Sequence, residues 1–279
     1  MADVTRPHPI LPVIQSGEIN WDLVAGQYQQ YVLSPFHPEM LEAGRNPLVT
    51  EVRRQVAAAQ GQGRVQIADF GCGPGSLLPS LVGLDVAVTG VDLSRGSLGV
   101  AQGAASWAGV DFTGICADLT TVELDQRFEM VVCSNSVLPA DRADVVPILS
   151  RVAHHLSDTG RAYFILPSFD TTEHLVQLYR EAALARGSSL AAADGLVAQL
   201  SRAKKMDPVL LKYADDGYSA QCYHTPDSIA AEFAEAGLAV VAGPRKVYYP
   251  WDLTRRFDYG YFLGADEEIW DWYVVAQRI

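Results

Sequence analysis

The chain has 279 residues, a formal net charge of −12, 49% hydrophobic and 19% charged residues. A chain of this size buries roughly 70–75% of its extended surface, enough for one large α/β domain or two small ones. The acidic field argues against RNA or DNA as a partner, because phosphate backbones are repelled, and Lys204-Lys205 and Arg255-Arg256 are too small to reverse it locally.

Residues 1–17 hold Pro7, Pro9 and Pro12 and little periodicity, which predicts an arm, extended or packed on the surface. Met1-Ala-Asp-Val-Thr-Arg has no apolar core after it, so no signal peptide is expected. No apolar run reaches the roughly 18 residues of a membrane span. From Trp21 to Tyr31, Trp21, Val24, Ala25, Tyr28 and Tyr31 fall at helical spacing. Residues 34–40 carry two prolines and His37 and read as a loop; Leu48 to Gln60 reads as a helix with Pro47 at its start. These segments are expected to form a helical lid over a cleft.

Alternation follows. Strand Val65–Phe70 precedes helix Ser76–Val82, and strand Asp85–Val91 precedes helix Gly96–Trp107. Strand Asp111–Cys116 leads through a short connection to strand Glu129–Ser134 and helix Val145–His155; after a turn at Asp158-Thr-Gly160, Ala162–Leu166 is a fifth strand. Repeated βα units with apolar strands predict a Rossmann-like, doubly wound parallel sheet covered on both faces, its ligand beyond the strand C-termini. Residues 168–224 break the alternation with helical stretches Thr172–Arg186 and Ser189–Lys205 and a polar loop at Asp215–Ser219. They are read as an insertion that shapes an acceptor pocket, against a hairpin that stabilises the edge or makes a homo-oligomer contact. Thr225-Pro226-Asp227 opens helix Ser228–Ala236 with a cap, a proline and an acid, and Gly237 closes it. Leu238–Ala242, Lys246–Tyr249 and Ile269–Ala276 read as strands. The chain is thus read as a single domain: lid segments 1–60, a core 61–167, the insertion 168–224 and a completion of the sheet at 225–279.

The run Asp69-Phe-Gly71-Cys72-Gly73-Pro-Gly75 stands between the first strand and its helix, and Val91-Asp92-Leu93-Ser94 ends the second strand seventeen residues after Gly75. The dinucleotide fingerprint needs G-x-G-x-x-G, which places a pyrophosphate on the helix N-terminus. Here the spacing is G-x-G-x-G behind a carboxylate, which repels a pyrophosphate and suits a ligand with an ammonium and a sulfonium. At these residues the chain resembles the class I S-adenosylmethionine-dependent methyltransferases. The resemblance implies that Asp69, Gly71, Cys72, Gly73 and Gly75 form the first cofactor motif and that Asp92, with Leu93, holds the ribose hydroxyls. It implies an adenine station at Ala117-Asp118-Leu119, where Asp118 otherwise serves as a turn former, and a fourth station at Ser134-Asn135. It also implies that an N-terminal tyrosine, Tyr28, meets the methionine end, and that the sheet closes with an antiparallel last strand as the seventh. Cys72 is read as packing within the loop.

Transfer from a sulfonium is an in-line displacement, so the protein supplies mainly proximity and orientation. An oxygen acceptor needs a base; His224, at the end of the insertion, and His37, in the loop before the second helix, are the catalytic candidates. His154 and His155 are read as structural and His174 as solvent-facing. The rings of 248–262 suit an apolar acceptor or a core, and Trp272 reads as core. Cys72, Cys116, Cys133 and Cys222 are scattered without a C-x-x-C, so no metal is expected and reduced thiols in the cytoplasm fit. The expectation is methyl transfer to a small molecule, an O- or N-methylation in secondary metabolism that releases S-adenosylhomocysteine. Alternatives are a relative that binds the cofactor for a cyclisation, a non-catalytic subunit and, more distantly, a nicotinamide dehydrogenase.

Overall fold

In the computed structural model, which describes residues 22, 25–27, 33–59, 61, 63–214, 220–250 and 269–279, the glycine-rich turn leaves the central strand of a seven-stranded sheet. That strand, β1 (Val65–Phe70), pairs in parallel with β2 (Val86–Asp92) on one side and β4 (Phe128–Ser134) on the other. β3 (Asp111–Cys116) extends the sheet beyond β2, and β5 (Leu156–Pro167) beyond β4, also in parallel. A separate ribbon pairs β6 (Lys212–Tyr213) with β7 (Gln221–Cys222). β8 (Leu238–Tyr248) pairs antiparallel with β9 (Trp270–Arg278), which pairs antiparallel with β5. The order is β3-β2-β1-β4-β5-β9-β8, and β9 is the antiparallel strand.

β1 is apolar except for Gln66 and Asp69 because both faces of the sheet are covered. On one face, Ile67, Val88, Tyr163 and Tyr273 pack with Met40 of α1 (Pro38–Glu42), Val52 and Val56 of α2 (Pro47–Ala58) and Ala101 and Ala105 of α3 (Arg95–Ala108). On the other, Phe128, Phe164 and Trp272 meet α4 (Val145–His155), whose Val145, Ile148, Leu149 and Val152 repeat at helical spacing. After β5 come α5 (Phe169–Ala185) and α6 (Leu190–Ala203), capped by Ser168 and Ser189. Only Ala193 of α6 is buried.

α7 (Pro226–Glu235) starts as expected: Ser228 N–H donates to Thr225 Oγ1 and Ser228 Oγ accepts from Thr225 N–H, a reciprocal capping box. Thr225→Ala is expected to lower unfolding free energy in urea by about 1 kcal/mol and leave ligand binding unchanged.

Several expectations change in detail. Ser76–Val82 is a short 3-10 turn at Leu78–Leu81, because Pro79 cannot continue an α-helical ladder. Residues 34–40 are not all loop: α1 begins at Pro38 behind His37 as its N-cap. β5 starts at Leu156, its pairing with β4 shifting register between Phe128 and Met130 around Gly160. The two runs read before residue 250 are one strand, β8, carried past Gly243-Pro244 by register shifts. His174 is half-buried rather than freely solvent-facing, its ring 5.5 Å from that of Trp270. The arm 1–17, Tyr28, Tyr31, the 215–219 loop and the rings of 251–262 lie outside the described residues. No described helix is long and apolar enough to cross a membrane.

Candidate active site

Strand order reverses at β1, so a crevice opens beyond the C-terminal ends of β1, β2 and β4. The turn after β1 is pinned by Gly71 N–H and Cys72 N–H, both donating to Val91 O, at 2.7 and 3.0 Å. A Cβ on Gly71, at φ +74°, would lie 2.2 Å from Ser136 Cβ; one on Gly73 would meet nothing within 4 Å. Gly71 therefore seats the turn against the segment after β4, while Gly73 presents bare backbone to the crevice.

Asp69, one residue before the end of β1, is 5% exposed. Among the described residues no hydrogen bond reaches its carboxylate. Burial, then the charge of Asp92, pushes its pKa up to about 7. Asp92 accepts from Gly73 N–H at 2.8 Å and Ser94 N–H at 2.9 Å. Its pKa is still raised, because desolvation outweighs those two bonds. Across the crevice, Asn135 holds a left-handed backbone (φ +51°) and donates its N–H to Ile165 O at 2.8 Å. Asn135 Oδ1 and Ser134 Oγ are buried without a partner among the described residues. The facing wall is Ser34-Pro35-Phe36, tied down by Asn46 Nδ2 donating to Pro35 O at 2.9 Å. The cavity between the walls is about 30 Å³.

The remaining stations fall at strand ends. Leu93, beyond β2, is 68% exposed, an apolar side chain beside Asp92. Ala117 N–H donates to Asp92 O at 3.2 Å. Asp118 is exposed, and its Oδ1 accepts from Thr120 N–H and Oγ1, both at 2.8 Å, so it does form a turn; Leu119 is half-buried against the core on the α4 face of the sheet. Cys72 is buried, with its thiol pushed up by desolvation and by Asp69, and a Cβ on Gly90 would lie 2.8 Å from its Sγ. It packs, as expected.

The two candidate bases are not at the crevice in the same way. His37 adjoins the Ser34–Phe36 wall, but its Nδ1 accepts from Glu39 N–H at 3.3 Å as a helix cap. His224 is fully buried, its Nε2 donating to Val137 O at 2.9 Å, and it has no surface with which to touch a substrate. His155 is structural: Nε2 accepts from Leu124 N–H and Nδ1 donates to Arg151 O. Both ring nitrogens of His155 are thus hydrogen-bonded, and Arg151 pairs with Glu123 beside His154.

Sequence reasoning missed Asp22. Its Oδ1 accepts from Ser94 Oγ and Gly96 N–H, both at 2.7 Å, so it caps α3 directly beside Asp92. Those bonds hold its pKa below the usual carboxylate value. No local pattern marks a contact with a segment 72 residues away.

Residues 67–160 match the model of a methyltransferase-domain family. That stretch, about a third of the chain, holds the Asp69–Gly75 turn, Asp92 and Asn135, and over it the chain is similar to S-adenosylmethionine-dependent methyltransferases. The chain is 29% identical over 140 residues to a Geobacillus sp. (strain WCH70) protein that carries a methyltransferase name, an alignment spanning 50% of this chain and 57% of that protein. It is 25% identical over 239 residues to a ubiquinone biosynthesis O-methyltransferase of Rhizobium rhizogenes, covering 84% of this chain and 85% of the relative. Its fold matches the CcbJ methyltransferase of Streptomyces caelestis with a TM-score of 0.53 at 14% identity, covering 91% of this chain and 96% of that one. It also matches magnesium protoporphyrin IX methyltransferase of Synechocystis PCC 6803, solved with bound S-adenosylmethionine: TM-score 0.52, 14% identity, 94% and 99% coverage.

Proposed function

We propose that this chain binds S-adenosylmethionine in the crevice between β1 and β4 and passes its methyl group to a small-molecule acceptor. One observation carries the reading: Asp69 is a buried carboxylate that no described residue hydrogen-bonds, set beside the open backbone of Gly73. A buried charge without a partner is costly, and an ammonium supplies the missing charge and donors. The cofactor, when bound, supplies a methyl group made electrophilic by its sulfonium. Asp69 would hold the ammonium. Asp92 would take the ribose hydroxyls with Leu93 beneath the base, and Ala117–Leu119 would border the adenine. Asn135 and Ser134, with spare buried oxygen atoms, would face the methionine end. The two walls exclude water, which speeds a step in which charge fades.

The α5–α6 pair would sit over the acceptor in one domain spanning 1–279, with the segments before α2 as the cover on the cofactor side. The ubiquinone-pathway relative supports an oxygen acceptor; an amine is the other candidate, and secondary metabolism in the cytoplasm is the setting that fits. Incubation with S-adenosylmethionine and panels of phenols and amines, read by release of S-adenosylhomocysteine, tests this. Release that depends on one acceptor class supports it, and turnover of that acceptor without release would point to rearrangement instead.

Asp92→Ala is expected to weaken S-adenosylmethionine binding by roughly tenfold to a hundredfold, the scale of lost hydrogen bonds to a charged group. Titration calorimetry showing unchanged affinity would remove the ribose role.

A further inference from the structure

Behind the crevice lies a buried polar group that the proposed reaction does not use. Residues 222–224 run against the segment that follows β4. Cys222 N–H donates to Pro139 O at 2.9 Å, and Arg142 Nη1 donates to Tyr223 O at 2.6 Å. His224 Nε2 meets Val137 O at 2.9 Å; a carbonyl only accepts, so Nε2 carries the proton. The other side of the ring faces α7: His224 Nδ1 lies 3.6 Å from Glu232 Oε2, and Glu232 Oε1 holds Arg142 Nη2 at 2.6 Å. The backbone of His224 is fixed as well. Its N–H donates to Pro167 O, and its carbonyl accepts from Phe169 N–H and Trp272 Nε1.

Val137 is fully buried and follows Asn135 and Ser136 directly. Asn135 is the left-handed residue with an unpartnered oxygen at the crevice, and Ser136 is the residue against which Gly71 closes. A residue held in a sparsely populated backbone region persists only where its surroundings over-determine it. The imidazole is a side chain that fixes this segment from behind, across 87 residues of sequence.

We propose that His224 is a positioning residue for the cofactor site: through Val137 it holds Asn135-Ser136 in the conformation that receives the methionine end of S-adenosylmethionine. It touches neither donor nor acceptor. The inference rests on the cofactor reading above, and its test separates the two.

Gln at 224 places an amide N–H near the position of Nε2, whereas Asn stops near Nδ1 and cannot reach Val137. Phe233→Leu damages the same core at a side chain that forms no hydrogen bond to the segment: Phe233 is fully buried, its ring 4.8 Å from that of Phe164. For the three full-length variants, S-adenosylmethionine affinity is measured by calorimetry, amide exchange over residues 134–142 in the free protein by mass spectrometry, and thermal midpoint by scanning calorimetry. H224Q is expected to bind within about threefold of wild type, and H224N about tenfold or more weakly, as for a lost buried hydrogen bond, with faster exchange at Asn135-Ser136. F233L is expected to lower the midpoint and leave affinity and local exchange as in wild type. H224L, also without a donor, makes the same comparison should H224N not fold. Wild-type affinity and exchange in H224N, or an F233L defect equal to that of H224N, would overturn the role. A wild-type protein that binds no S-adenosylmethionine would end the cofactor reading instead, and the exchange data would still decide whether His224 fixes the segment.

Discussion

Asp69→Asn is expected to cut S-adenosylmethionine affinity at pH 7.5 by roughly tenfold to somewhat over a hundredfold, because a charge-assisted pair in a dry site is worth roughly 1.5–3 kcal/mol and its loss strands the ammonium. The same substitution should flatten the pH dependence. In the free protein the Asp69 pKa is about 7 against an ordinary 3.8, the result of burial and of Asp92. A bound ammonium favours the ionised form, so binding below pH 7 expels a proton. Wild-type affinity should then rise by up to about tenfold, or about 1.4 kcal/mol, for each pH step of one from pH ~5.5, and level off near 7. Folding runs the opposite way. A carboxyl whose folded pKa is raised contributes stability that is present below its unfolded pKa and is lost as pH rises through about 7. D69N without ligand should therefore be more stable than wild type at pH ~8, by at most about 4 kcal/mol, and match it at pH ~4. Calorimetry at three pH values and urea titrations at two check both; an affinity slope that persists in D69N would place the titrating group elsewhere.

Gly71→Ala is the second large effect. The added methyl would stand 2.2 Å from Ser136 Cβ, at a backbone φ of +74° that L side chains rarely adopt. Left-handed strain of about 1–2 kcal/mol and overpacking of about 1–3 kcal/mol add to a loss of about 2–5 kcal/mol. Relief requires the turn and the Asn135-Ser136 segment to separate, so S-adenosylmethionine binding should vanish with the stability. Gly73→Ala is the informative contrast. Its methyl meets nothing, so only the strain of φ +52° remains, about 1 kcal/mol, and the fold survives while the methyl intrudes on the ligand. Equal thermal midpoints for G71A and wild type would show that the turn does not close on Ser136.

What the sequence discloses follows contact range. Asp69, the glycines and Asp92 are legible because their geometry is set within one βα unit: an apolar run, a turn that only glycine fits, and the end of the neighbouring strand. The antiparallel last strand is expected only from the family resemblance, and the strand order comes from the pairing in the fold. β8 reads as two runs because Gly243-Pro244 is ordinary turn chemistry, and only pairing with β9 carries the strand through it. The β6–β7 ribbon, two residues a side, is too short to show a period. Asp22 on α3 and His224 behind Val137 are contacts between distant segments, which no window of sequence contains. In sequence His224 reads as catalytic because a histidine at the end of an insertion sits where a base is wanted; its complete burial is a property of the packed chain.

On the proposed reading, a buried carboxylate that no described residue hydrogen-bonds, beside the bare backbone of Gly73, recognises a cationic methyl donor. Titration of the wild-type chain with S-adenosylmethionine at pH 7.5, with nicotinamide adenine dinucleotide as the parallel ligand, tests it most directly. The expected result is saturable binding of the donor at one site per chain, lost in D69N, with no binding of the dinucleotide. Absence of donor binding, or binding that D69N leaves intact, would contradict it.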